Sequence, residues 1–210
     1  GRFYMNSIIA GVATTTGQVI TGVLAAYAFA RMEFWGRDKV FMLFLATMMV
    51  PTQVTLIPTY IVMSQIGWID SFEALIVPFI SSAFSVFLLR QFFLTIPKEL
   101  EDAAIVDGCS KMRFIFQILM PLAKPAIASV SLFAFLGSWN SYLWPLIVIN
   151  SNQMRTLPIG LRYFVSQQGG GSEWHYLMAA SLIVMLPVLI VFFLAQKQFI
   201  EGIAKTGIKG

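Results

Sequence analysis

The chain has 210 residues, of which 58% are hydrophobic and only 11% charged, about half the charged share of an ordinary soluble domain. That balance excludes a soluble globular fold, because lipid has to cover what polar side chains do not. A lone cysteine, Cys109, and a lone histidine, His175, exclude an intrachain disulfide and a His-rich metal site.

A hydrocarbon core about 30 Å thick takes about 20 apolar residues of helix. Five stretches meet that length: residues 3–30, 40–64, 72–96, 125–149 and 176–196. The first carries no charge, and the third has Arg90 towards one end. The sequence therefore predicts an all-α membrane protein, a single polytopic helical bundle over residues 1–210. It opens Gly1-Arg2-Phe3 with no initiator methionine and no signal-peptide pattern, so a further helix upstream, a sixth in the full chain, is expected. Gly11, Gly17 and Gly22 fit either close helix packing or ordinary spacing in an Ala/Gly-rich helix. Pro51, Pro58, Pro78 and Pro187 kink their spans, either for a gate or for packing. The pattern leaves open whether Gln53, Gln65 and Ser81 face a cavity.

Charge alternates between the connecting segments. Arg31, Arg37 and Lys39 lie in segment 31–39; Arg90, Lys98, Lys111, Arg113 and Lys124 in 90–124; Lys197, Lys205 and Lys209 in the tail. Segment 65–73 has no Lys or Arg, and 150–175 has only Arg155 and Arg162. Positive residues concentrate on the cytoplasmic side, so the first span runs inward and the C-terminus is cytoplasmic. The net charge of +4 is thus topological, and it does not call for nucleic acid. Trp68, Trp139, Trp144 and Trp174 fall near the expected outer ends, where interfacial aromatics sit.

The longest polar stretch between spans starts at Pro97. Pro97 suits a first helical position, with Glu99, Glu101 and Asp102 in the first turns, where the helix dipole favours acids. Ala103 and Ala104 give a smooth face, and Gly108 ends the helix. Ser110 caps a second helix, Lys111 to Leu119, expected to stop before Pro121. The product is an elbow over 97–121, either a plain cytoplasmic connection or a knob for a cleft on another protein.

Asp102-Ala103-Ala104, three residues, Gly108, nine residues, then Ile118-Leu119-Met120-Pro121 resembles the Glu-Ala-Ala…Gly…Ile-x-Leu-Pro motif of binding-protein-dependent ABC importer permeases. It departs by Asp for Glu and Met for Leu. Phe3-Tyr4-Met5-Asn6-Ser7, Ala26-Tyr27-Ala28-Phe29-Ala30-Arg31, Gly36-Arg37-Asp38, Ser138-Trp139-Asn140, Trp144-Pro145-Leu146 and the ending from Gln198 are similar to the second membrane subunit of maltose-type sugar transporters. The resemblance implies the type I importer permease fold, five transmembrane helices here, and a cytoplasmic coupling helix. It assigns Glu101, Asp102, Ala103, Ala104, Asp107, Gly108, Ile118 and Pro121 to docking on a cytoplasmic ATPase subunit. Asp102 is one methylene shorter than the motif's acid, which leaves room for neighbouring Glu101 to take that contact. The implied partners are that ATPase, which would bind ATP and Mg, a second and different permease, an extracytoplasmic sugar-binding protein and the lipid of a bacterial cytoplasmic membrane. This chain itself would hold no cofactor and no metal, and would catalyse nothing.

Trp139, Asn140, Tyr142 and Trp144 are the side-chain types that bind sugars, rings for stacking and amide or hydroxyl groups for pairing. They fit equally an aromatic belt with Asn140 bonded to a neighbouring helix. Gly169-Gly170-Gly171-Ser172 is no phosphate cradle, since no Gly-Lys-Ser/Thr follows. With Arg155, Arg162, Gly170 and Trp174 it is either a connector or a face for the binding protein. An intramembrane enzyme or an ion-coupled secondary transporter would need ionisable groups at mid-span, and no Asp, Glu or His lies there. A permease for a strongly anionic solute such as glycerol phosphate would want Arg or Lys there, and none occurs.

Overall fold

The computed structural model describes residues 1–166 and 174–206. Twelve α-helices follow in order: α1 (Arg2–Arg31), α2 (Arg37–Ala46), α3 (Thr52–Gln65), α4 (Phe72–Ile76), α5 (Ala83–Thr95), α6 (Glu99–Val106), α7 (Lys111–Phe114), α8 (Met120–Leu122), α9 (Lys124–Trp139), α10 (Leu143–Val148), α11 (Leu157–Ser166) and α12 (Trp174–Thr206). Short 3₁₀ turns follow α2 and α4, and a π-helical turn, Ile115–Leu119, joins α7 to α8. No strand occurs among the described residues.

The first charge-free stretch, residues 3–30, forms one continuous helix. α1 runs 30 residues without a break, closed by Arg31 in its last turn, where a cation suits the dipole. Its threonines return their hydroxyl protons to the helix, Thr15 to the Gly11 carbonyl at 2.7 Å, Thr16 to Val12 at 2.8 Å and Thr21 to Gly17 at 2.9 Å. A polar side chain so satisfied can sit in an apolar setting.

The other expected spans are segmented. Residues 40–64 form two helices, because Val50, preceding Pro51, is extended (φ −82°, ψ 116°) as a pre-proline residue prefers. Residues 72–96 divide between α4 and α5 around a 3₁₀ turn holding Pro78. Residues 125–149 divide between α9 and α10 at Asn140–Ser141. Residues 176–196 lie within α12, which continues through Pro187. Among the described residues, α1 alone is long and apolar enough to be a span, and the count rises to four when each bent pair is taken as one, with Met178–Leu194 a shorter apolar helix.

The chain divides into two compact units. One is built on Gly1–Thr16, Pro51–Ile80 and Leu132–Ala195; its core joins Ala10, Met63, Leu75, Trp144 and Val148. Here Gly11 abuts the Phe135 ring, which lies 3.0 Å from where a Cβ would stand, so close packing decides that glycine. The other is built on Gly17–Val50, Ser81–Ser131 and the described residues from Gln196. Its core joins Val23, Tyr27, Leu89, Phe93, Phe114 and Leu119. In this unit Arg90, the charge within the third expected span, donates to the Phe29 carbonyl at 3.2 Å and lies 4.2 Å over the Phe41 ring.

Candidate functional site

The elbow forms from local signals. Lys98 is the cap of α6 and Pro97 lies just before it, two residues ahead of the first helical position expected for the proline. Glu99, Glu101 and Asp102 occupy the first turn. The helix ends on Gly108 at φ +75°, with Gly108 N–H donating to the Ile105 carbonyl at 2.9 Å and Cys109 N–H to Ala104 at 2.8 Å. That paired closure is the Schellman motif, which needs a left-handed residue at the Gly108 position. Ser110 then caps α7, its hydroxyl oxygen accepting from Arg113 N–H at 3.4 Å. The second arm does not stop before Pro121 as expected. It widens into the π turn and carries Pro121 into α8, and the chain then bends by 85° at Ala123 into α9.

The faces of α6 differ from the expected smooth patch. Asp102, Ala103, Val106 and Asp107 are exposed, as are Gly108 and Pro121, while Ala104 is buried and Ile118 half-buried. Glu101, expected among the docking residues, turns inward. It is 9% exposed, and its Oε1 accepts from the Tyr27 hydroxyl at 2.5 Å while Oε2 lies 3.9 Å from Arg31 Nε. What replaces it outside is apolar: Val106 at 86% exposure, with Ile105, Met112 and Phe116 about half exposed. The spacing of Asp102, Ala103 and Val106 on one helical face was the available signal.

The second feature is a cavity of about 790 Å³ inside the other unit. α3 supplies Thr52, Gln53, Thr55, Leu56, Pro58, Thr59, Val62 and Met63, and Pro78, Phe79, Gly137, Ser141, Tyr142, Leu143 and Trp144 complete it. No Asp, Glu, Lys, Arg or His is among these lining residues. Thr55 donates to the Thr52 carbonyl at 3.1 Å and Thr59 to Thr55 at 2.7 Å, so their oxygens face outward as acceptors. The Thr52–Thr55–Thr59 run escaped the sequence reading, although its helical spacing is plain.

Of the four residues expected on a sugar pathway, Tyr142 and Trp144 line the cavity and Asn140 is exposed beyond the lining. Trp139 is 1% exposed, stacks on Phe135 with centroids 5.5 Å apart, and donates its indole N–H to the Val184 carbonyl at 3.2 Å. It is packing, because a buried indole so bonded has no face left for a sugar. Trp144 is 7% exposed, donates to the Ala74 carbonyl at 2.8 Å and meets Phe79 edge-on at 5.7 Å, so it backs the cavity as part of the core.

Residues 18–205 match the family described as binding-protein-dependent transport system inner membrane component. The chain belongs to that family. It is 39% identical over 209 residues to the arabinooligosaccharides transport system permease protein AraQ of Bacillus subtilis (strain 168), covering 100% of this chain and 74% of that one. To the sn-glycerol-3-phosphate transport system permease protein UgpE of Pectobacterium atrosepticum it is 36% identical over 206 residues, covering 98% and 73%. Its fold is similar to a chain in the crystal structure of a bacterial ABC transporter involved in the import of the acidic polysaccharide alginate, with a TM-score of 0.84 and 25% identity, covering 94% of this chain and 74% of that one. The motif from Asp102 to Pro121 and the whole cavity lining lie inside the segment that matches the transport family.

Of the remaining expected contacts, Arg155 lies in the loop after α10 and Arg162 in α11. Asn6 donates from Nδ2 to the carbonyls of Gln153 at 2.8 Å and Arg155 at 3.0 Å, and Ser7 accepts from Leu157 N–H at 2.8 Å. The Asn6-Ser7 pair is therefore a clasp for that loop. Asp70, a non-glycine residue at φ +63°, clasps it from another side: one carboxylate oxygen accepts from Asn150 N–H, Ser151 N–H and the Ser151 hydroxyl, each at 3.0 Å. The Ser151 backbone bond leads in holding the Asp70 carboxyl below its ordinary range, with the Ser151 hydroxyl and Asn150 adding to it against desolvation. Arg162 is exposed, donates to the Tyr142 hydroxyl and lies 5.7 Å over its ring. Gly170 is outside the described residues, and Trp174 opens α12.

Proposed function

We propose that this chain is the permease subunit of an ATP-driven importer for a neutral sugar or oligosaccharide. The observation that carries the reading is the chemistry of the cavity. Phe79 and Tyr142, both half-buried, offer rings to the apolar faces of a sugar, and the threonine oxygens and Gln53 offer partners to its hydroxyls. A phosphate dianion would bring charge into a lining whose residues carry none, with Arg162 beside it already engaged on the Tyr142 hydroxyl and ring. The relatives named for glycerol 3-phosphate make that solute the competing reading.

In this scheme the elbow docks into a cytoplasmic ATPase, which binds ATP and Mg. A different sister permease completes the pathway, and an extracytoplasmic binding protein delivers the solute. The concentration of Lys and Arg in 31–39, 90–124 and the tail supports a cytoplasmic elbow and C-terminus. Energy has to come from the partner, and the two sites communicate through helices between inward-open and outward-open states.

The test is reconstitution of the whole operon product in proteoliposomes, comparing ATP-dependent uptake of arabinotriose with that of glycerol 3-phosphate. Uptake of the phosphate alone refutes the neutral-solute reading. A parallel purification on a tag of this chain uses Gly108→Pro, because proline cannot adopt φ +75°. Loss of the ATPase from that variant alone supports docking by the elbow; transport by the chain without any ATPase would overturn it.

A further inference from the structure

Glu101 is the anomaly of the elbow, a carboxylate 9% exposed on a helix whose apolar side chains face outward. Its partners sit at the end of α1: the Tyr27 hydroxyl donates to Oε1 at 2.5 Å, and Arg31 Nε faces Oε2 at 3.9 Å. The same guanidinium donates from Nη2 to the carbonyls of Phe93, at 2.8 Å, and Ile96, the last turn and cap of α5. Arg31 therefore gathers the ends of α1 and α5 and the start of α6. The second arm of the elbow reaches the same place, since Phe114 packs on the Tyr27 ring with centroids 6.4 Å apart.

We propose that Tyr27, Arg31 and Glu101 form a buried latch that carries movement of the elbow into α1, which makes Glu101 a positioning residue for coupling. The inference rests on the docking role assigned to the elbow above. Its geometry suits a part with two settings. Arg31 Nε and Glu101 Oε2 are both buried and neither has a hydrogen-bond partner in this setting. At 3.9 Å they are attracted without being bonded, so a shift of about 1 Å closes a charge-assisted hydrogen bond. Displacement of α6 by the ATPase would make or break that bond while the Tyr27 hydroxyl keeps hold. A buried ion pair is a poor source of stability compared with apolar packing, and its attested use is in fixing register or switching. α1 is a single helix of 30 residues, so a displaced latch acts on its C-terminal end.

The experiment uses the complete complex in nanodiscs, with its binding protein and arabinotriose as probe. Wild type, Glu101→Gln and Tyr27→Phe are compared for ATPase retained on the tagged permease, melting temperature, and the ratio of ATP hydrolysis with and without loaded binding protein. Glu101→Gln keeps a bond to Tyr27 but loses the charge facing Arg31, and Tyr27→Phe loses one hydroxyl. The latch requires both variants to retain the ATPase and melt with wild type while the stimulation ratio falls about fivefold or more, the lower edge of ordinary coupling between sites. An unchanged ratio overturns the proposal. So does disassembly of both variants, which would make these residues part of the fold alone. Failure of wild type itself to retain an ATPase would defeat the docking reading, and the latch with it.

Discussion

Val106 sets the sharpest test of the elbow. It stands 86% exposed on the face of α6 shared by Asp102 and Ala103, so its side chain contributes almost nothing to the fold of its own chain. If a partner covers it, Val106→Ala removes two methyl groups' worth of burial, about 1.5 kcal/mol, or roughly tenfold in affinity. Val106→Asp places an unpaired carboxylate in the same contact and costs about 3 kcal/mol or more, over a hundredfold. The assay is a titration of labelled ATPase onto permease held in nanodiscs, with thermal unfolding beside it. Both variants should melt within about 0.5 kcal/mol of wild type, as exposed positions do. Binding of the ATPase to the Asp variant with wild-type affinity would refute the assignment of this face.

Three further outcomes follow from individual contacts. Gly160→Ala drives a Cβ to 2.4 Å from Phe3 Cδ2, so overpacking of about 1–3 kcal/mol should outweigh the helix propensity gained and lower the melting temperature; Phe3→Leu should restore part of it, and an unshifted melt in the single variant disproves the clash. The lowered Asp70 carboxyl binds fewer protons folded than unfolded, so its stabilisation is present above the ordinary value of about 3.9 and fades as pH falls through the lower folded one. Asp70→Asn, which tolerates the same positive φ, should melt below wild type at pH 7 and draw closer to it as pH falls below the ordinary carboxylate range; a gap that does not narrow with acid contradicts that role. Thr55→Val should weaken arabinotriose uptake by about two- to tenfold with little change in melting, whereas Trp139→Phe should lower melting and leave the uptake KM alone; the reverse pattern would exchange the two roles.

What the sequence made legible was local. The Schellman end at Gly108, the Ser110 cap and the uninterrupted α1 each depend on residues within a turn of one another. The helix breaks were harder to read because an apolar window averages across them: Val50–Pro51 and Asn140–Ser141 interrupt the path without lowering hydropathy enough to show. The orientation of Glu101 was not legible at all. Its hydroxyl partner lies 74 positions upstream, and no periodicity within α6 names Tyr27 or Arg31. Trp139 misled for the same reason, as only tertiary contacts at Val184 and Ala74 decide that its indole is packing and that of Trp144 lines a cavity.

The elbow also inverts the usual order of a water-exposed segment. A chain optimised to stand alone would bury Val106 and Phe116 and leave Glu101 in solvent, since burying a carboxylate costs free energy that a methyl group does not. Here α6 keeps the acid inside on Tyr27 and turns its valine out. Exposed apolar side chains clustered on a polar loop mark a surface that is covered in the working state. On the docking and latch proposals above, the acid inside and the apolar tip outside would be two ends of one lever, the tip gripped by a partner and the acid held by α1. Neither end explains the other without a force applied at Val106, which is why the Asp variant at that position and the Gln variant at Glu101 should fail differently: the first by losing the partner, the second by keeping the partner and losing its effect.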